Sequence, residues 1–324
     1  MTINLLTSIA DDGLVMCADS MLTLNGAHPL TNDHIETTFE NAEKIAALGK
    51  KLPAAAMVSG AADIQGRLVS SFLRDASREI NLDPNARNDA AVVQKVFETI
   101  DDPYAKMLDA VRNEFAKFYS QVDRLAEINV RRTSNGFPQL TEVRPEQIAI
   151  SNEENPPADP VETVNLTPLT IVVCTYFEAD GQRATELTWP GGRRRVCVPG
   201  PSPLWWWGSG GAAIARLMRG FDLSLLQDHS ESGAPDAEEA KQVLDYAARF
   251  ALAYLMPTPV QSMPLQDAIE FTEYLGQTAC GYDRFKMGAA GVGGPLEILV
   301  LRRGHRKWVR RKRIHSGLAT RSEE

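Results

Sequence analysis

Apolar positions dominate the start of the chain. Residues 2–9 (TINLLTSI) and 14–18 (LVMCA) are short, apolar and rich in β-favouring side chains, and the ADDG between them is a tight-turn sequence, so they predict a β-hairpin. A polar stretch from Ser20 to Glu40, rich in Asn, Thr and His, interrupts this pattern. Then AEKIAALG (42–49) and AAAMVSG (54–60) predict two further strands around a KKLP turn, and four closely spaced strands imply a sheet. The period changes at Ala61: Ile64, Leu68, Phe72 and Ala76 recur four apart, which predicts an amphipathic helix over 61–80 launched directly from the preceding strand. A longer helix is predicted from about Pro103 to Arg131, with Met107, Val111, Phe115, Phe118 and Val122 on its apolar side, after an ordinary connection NLDPNARND.

Between Thr133 and Asn165 periodicity gives way to Pro, Glu and Asn (SNEENPPADPVE), which predicts an irregular surface insertion. Strand patterns return in LTIVVCTYFE (169–178) and ATELTW (184–189) and continue through RRRVCVPG and PLWWWGSG. Helical spacing follows at 211–220, at 236–256 with Asp236 as N-cap and Val243, Ala247, Phe250 and Tyr254 as the apolar stripe, and at 265–279. A glycine-bounded LEILVL within 293–304 reads as a buried strand. Such an order is neither the steady alternation of a doubly wound sheet nor a series of hairpins. It predicts an α+β fold, a four-layer αββα sandwich of stacked antiparallel sheets covered by helices. One domain over 1–304, with an insertion at about 83–166, is followed by a basic tail over 305–324.

Composition narrows the function classes. With 44% hydrophobic and 23% charged residues the chain is an ordinary globular sequence, and its net charge of -8 argues against general affinity for nucleic acid or anionic membranes. The charge is uneven: RRGHRKWVRRKR, Arg302 to Arg313, holds eight Lys or Arg residues. The four cysteines show no CxxC pairing, and Cys17 and Cys174 sit in apolar runs, so all are expected as reduced core residues. Neither a basic-then-apolar leader nor an apolar run long enough for a membrane helix is present, so a cytoplasmic protein is expected. The five histidines lack paired spacing and no phosphate loop occurs, so neither a metal nor a cofactor is expected, nor a Ser-His-Asp triad. Trp205, Trp206 and Trp207 should alternate faces of a strand and pack in the core or against another subunit.

Candidate chemistry lies in the first two letters. A small residue after Met1 permits removal of the methionine, and a threonine bearing a free α-amino group carries nucleophile and base in one residue. The segments TINLL, DDGLVMCADS, NAEKIAAL, MVSGAADIQ and, much later, WGSGGAAIARL fall in one order. Together they resemble the N-terminal-nucleophile hydrolases, specifically the proteasome β-subunit and its bacterial relatives of the ClpQ and Anbu types.

That resemblance implies the αββα sandwich and threonine peptidase chemistry on peptide or protein substrates. It matches Thr2 to the nucleophile, Asp19 to the family's aspartate, Lys44 to its active-site lysine, Gly60 to a backbone oxyanion donor, and Ser209 to a serine that assists the threonine. It further implies a homo-oligomer, a ring or a helical array, and leaves open an ATP-dependent unfolding partner. Two departures stand out. The Asp19 to Lys44 spacing is longer than in that family, which predicts an extended loop beside the cleft. The late Asp and Ser pair is replaced by Ala289-Ala290-Gly291-Val292-Gly293-Gly294, with Asp283 the nearest substitute. An alternative is a scaffold that keeps the fold without activity and uses its basic tail to hold an acidic partner or nucleic acid.

Overall fold

A computed structural model describes residues 2–27, 34–39, 42–200, 202–219, 237–254, 259–285 and 291–311. Strands β1 (Asn4–Ile9) and β2 (Gly13–Ala18) form the expected hairpin, in register from Asn4 opposite Ala18 to Ile9 opposite Gly13. The polar stretch after Ser20, expected as a loop, is instead a second hairpin of β3 (Leu22–Ala27) and β4 (His34–Phe39). Strands β5 (Ile45–Ala47) and β6 (Ala54–Gly60) pair antiparallel as expected.

Three helices depart from the sequence pattern. A short hairpin, β7 (Asp63–Ile64) and β8 (Arg67–Leu68), delays the first helix, because the Asp63 carboxylate accepts the Gly66 N–H (2.8 Å) and holds a turn there. Helix α1 therefore spans Val69–Leu82, and Leu68 lies outside the buried stripe. Helix α2 (Asp89–Tyr119) starts well before Pro103, which lies in its interior; Asn88 caps it by accepting the Ala91 N–H, and burial of Val92, Val96, Ile100 and Tyr104 holds it through the proline. Helix α3 (Val122–Ser134) is separate.

Residues 133–165, expected to be irregular, contain the parallel pair β9 (Ile148–Ile150) and β10 (Glu162–Val164). Ala116, Ile128, Val143, Ile148, Ile150 and Val164 form a small core of their own. Arg132 clamps this unit with a two-pronged ion pair to Asp159 (3.0 and 2.7 Å).

The remaining elements are β11 (Leu169–Phe177), β12 (Gly181–Trp189), β13 (Arg193–Val198), β14 (Leu204–Trp207), α4 (Gly211–Arg219), α5 (Ala237–Tyr254), α6 (Leu265–Phe285), β15 (Glu297–Arg302) and β16 (His305–Arg310). Asp236 lies outside the described residues. The result is a mixed α+β protein with two five-stranded antiparallel sheets, ordered β14-β1-β2-β15-β16 and β13-β12-β11-β6-β5.

Strand alternation divides the apolar side chains among three clusters. Leu6, Leu14, Met16 and Leu299 of the first sheet meet Met57, Val172, Cys174 and Tyr176 of the second. On the first sheet's other face Leu5, Cys17 and Ile298 meet Ile214 of α4 and Leu275 of α6. On the second sheet's other face Ala56, Ile171 and Leu187 meet Phe72 of α1 and Val96 of α2. The tryptophans alternate as expected: Trp205 and Trp207 stack with each other and pack with the cluster between the sheets, while Trp206 packs on the helix side.

The segment 305–310 was expected to open a basic tail and is instead the edge strand β16. Arg306 turns its guanidinium onto backbone carbonyls of the β5–β6 connection: Nη1 donates to Leu48 (2.8 Å), Leu52 (2.7 Å) and Ala54 (3.3 Å), and Nη2 to Gly49 and Lys50. That charge is used within the fold. Residues 312–324 lie outside the described chain. Among the described residues no helix is long and apolar enough to cross a membrane.

Candidate active site

Thr2 stands just before β1 and Asp19 just after β2, so hairpin register brings them together; the Asp19 N–H donates to the Ile3 carbonyl (3.2 Å) and extends the pairing to the site. The Asp19 carboxylate, fully buried, is the hub. Its Oδ1 accepts the Thr2 hydroxyl (2.8 Å), the Ile3 N–H (2.9 Å) and the Lys44 ammonium (2.6 Å). Its Oδ2 accepts the Gly293 N–H (3.0 Å) and the Met21 N–H (3.3 Å). A buried carboxylate is tolerated only with such compensation, and here a cation and four neutral donors supply it.

Lys44, 7% exposed, precedes β5, and its carbonyl accepts the Val58 N–H (3.0 Å), so the lysine arrives from the second sheet while Thr2 and Asp19 belong to the first. Gly60 ends β6. In an antiparallel strand alternate amides point the same way. The Gly60 N–H therefore points as the Val58 N–H does, toward the Lys44 side, beyond the last paired residue of β5.

The glycine-rich turn after β14 reaches Thr2 through its backbone. Gly210 N–H donates to the Thr2 carbonyl (3.2 Å), and Gly208 packs so closely that a Cβ there would lie 2.2 Å from the same oxygen. Ser209, expected to assist Thr2 with its hydroxyl, lies exposed between these two glycines. Thr2 and Lys44 are thus brought together on one oxygen of Asp19, Gly60 ends the strand that pairs with Lys44, and Ser209 lies in the turn whose glycines contact Thr2.

Asp283 is the residue expected to stand in for the late aspartate that the resemblance implies. It sits buried in the last turn of α6, and its Oδ2 accepts the N–H groups of Gly291 and Val292 (2.7 Å for the latter). The next residue, Gly293, donates to Asp19 Oδ2 and accepts from the N–H groups of Ser20 (3.2 Å) and Met21 (3.1 Å). Asp283 therefore fixes the loop that fixes Asp19. Sequence reading missed Gly293 itself, which lies 274 positions from its partner; the run of glycines around it was the one visible sign of a close backbone approach.

Cys280 lies within electrostatic reach of the same centre. Burial, and after it the Asp19 carboxylate, pushes its thiol up to about 12. A thiol of that pKa is almost wholly protonated at pH 8, so Cys280 should alkylate with iodoacetamide about 100-fold more slowly than an ordinary exposed cysteine. Peptide mapping of carbamidomethylated protein over time would measure this, and fast labelling of Cys280 would show that burial does not hold its thiol protonated. Among the described residues no group of three or more His, Cys, Asp or Glu is placed to hold a metal ion.

No protein-family model matches the sequence, and no curated protein does either.

Proposed function

We propose that the protein is a threonine-type amide hydrolase of the N-terminal-nucleophile class, acting on peptide or protein substrates from a cytoplasmic homo-oligomer. In this reading the three apolar clusters are the seams of a four-layer αββα sandwich. The supporting observation is the convergence of the Thr2 hydroxyl and the Lys44 ammonium on Asp19 Oδ1. A buried lysine paired to a buried aspartate beside an N-terminal threonine hydroxyl has a chemical use that core packing does not require.

Removal of Met1 supplies the base. An α-amine has an ordinary pKa of about 7.7, so near neutral pH a large part of it is free to take the Thr2 hydroxyl proton. Oγ1 then forms a bond to the scissile carbonyl carbon, and the carbonyl π pair moves to oxygen. The Gly60 N–H is oriented to bind that oxyanion, a contribution typically of about 3 kcal/mol. As the C–N bond breaks the ammonium returns its proton to the leaving amine. Water, deprotonated by the same amine, hydrolyses the resulting ester. Lys44 lowers the cost of negative charge on Oγ1, and Asp19 holds Lys44 charged and orients the hydroxyl.

The test is covalent. Intact mass should show loss of Met1, and a β-lactone or epoxyketone probe should add once, at Thr2. Thr2→Ala should abolish labelling and lower amide hydrolysis by about 10,000-fold or more. Quantitative retention of Met1, or a Thr2→Ala protein that hydrolyses as fast as wild type, would sink the reading and favour the inactive scaffold.

A further inference from the structure

We propose that Asn4 is a positioning residue of the threonine centre, the tie across the seam between the sheets that sets the Thr2 strand against the Lys44 and Gly60 strands. The proposal rests on the reading of Thr2 as nucleophile. Asn4 is fully buried, and by strand alternation it shares a face with Thr2 and Leu6, the face turned toward the second sheet. Its Nδ2 donates to the Val58 carbonyl (2.8 Å). Val58 is the residue whose N–H holds the Lys44 carbonyl, and it lies two positions before Gly60. Val58 lies one position beyond Met57, the partner of the first residue of β5, and a side chain from the other sheet takes its carbonyl.

A stabilising role does not explain an amide here. Among the described residues Asn4 Oδ1 has no hydrogen-bond partner, and a buried unpaired acceptor is a cost that an apolar side chain would avoid. Leu6, next on the same face, shows that this seam accepts leucine. An amide whose buried hydrogen bond is offset by its unpaired acceptor, two residues from the nucleophile, fits a tie selected for geometry.

Two substitutions test it, with β-lactone inactivation of Thr2 as the readout because it separates binding (KI) from the chemical step (kinact). Asn4→Leu removes the unpaired acceptor but leaves the Val58 carbonyl without its donor; the two changes oppose, and Tm should stay within about 3 °C of wild type. Its kinact should fall by about 10-fold to 100-fold with KI unchanged, as expected for a displacement of about 1 Å. Asn4→Asp adds a pH signature. A carboxyl buried at this position has a raised pKa and can donate to the Val58 carbonyl only when protonated. The ratio of its kinact to wild type should therefore rise as pH falls from 8 to 6, by about 5-fold or more. Wild-type kinact in both variants, or a loss in Asn4→Leu matched by a large drop in Tm, overturns the positioning role. Wild-type protein that has lost Met1 yet is not labelled at Thr2 overturns instead the reading on which the proposal rests.

Discussion

Asp19→Asn is expected to lower turnover by about 1,000-fold or more and to destabilise the fold by about 3 to 5 kcal/mol, the cost of leaving a buried charge without its partner. Oδ1 and Oδ2 of Asp19 accept from Thr2, Ile3, Lys44, Met21 and Gly293. An asparagine amide must turn its own donors toward some of these donors, and it leaves the ammonium of Lys44 uncompensated. Pairing the change with Lys44→Met separates the two effects. Replacing a whole buried ion pair by apolar or neutral groups is often nearly neutral for stability, so the double variant should regain most of the lost stability. Its activity should stay as low as that of the single variant, because the field at the Thr2 hydroxyl is gone. Urea denaturation and probe labelling of the three proteins measure both quantities. An Asp19→Asn protein as stable as wild type and labelled as fast would refute the hub role.

Gly60→Ala is the second large effect. The residue has φ of +84°, and a Cβ would lie 1.8 Å from the Pro168 carbonyl oxygen. Left-handed geometry alone costs a side chain about 1 to 2 kcal/mol. Here a backbone atom of β11's flank must also move, which brings the expected destabilisation to about 3 kcal/mol or more. Any such movement turns the Gly60 N–H, so residual folded protein should lose about 100-fold in turnover. Gly66→Ala is the control: φ is +78° there but nothing lies within 4 Å of the new Cβ, so the strain term of about 1 kcal/mol should stand alone. Equal losses at the two glycines would show that the close approach to Pro168 does not matter.

How far the sequence carried this account depended on the distance over which each feature is encoded. The first hairpin was legible because period-two apolar runs flank a turn sequence, whereas Asp19 and Lys44 were named through the resemblance carried by DDGLVMCADS and NAEKIAAL, and Thr2 through its place after Met1. Helix limits were less so. Pro103 looked like a start, yet Ile100 and Tyr104 carry the buried stripe straight through it, a tertiary gain that local propensity does not contain. Residues 133–165 looked irregular because a three-residue parallel pair leaves no periodicity, and the Arg132 to Asp159 clamp that organises it is an ordinary charge pair in sequence. The roles of Gly293 and Asn4 were illegible for a stronger reason: each bonds a residue far away in the chain, 274 positions for Gly293 and 54 for Asn4, and nothing near them records which residue that is.

The hairpin between Asp19 and Lys44 has a consequence for how this chain can change. Ser20 at its entrance is bonded to Ala42 at its exit, the Ala42 N–H meeting the Ser20 carbonyl at 2.8 Å. The two partners of the buried ion pair thus sit on either side of a closed neck. Whatever lies beyond the neck is, for the site, a loop whose ends are already joined. The entropy of closing such a loop grows only logarithmically, by about 0.6 kcal/mol per doubling of length. Length beyond the neck is therefore nearly free of consequence for the ion pair, and the segment beyond the neck can be trimmed or extended without retuning its base.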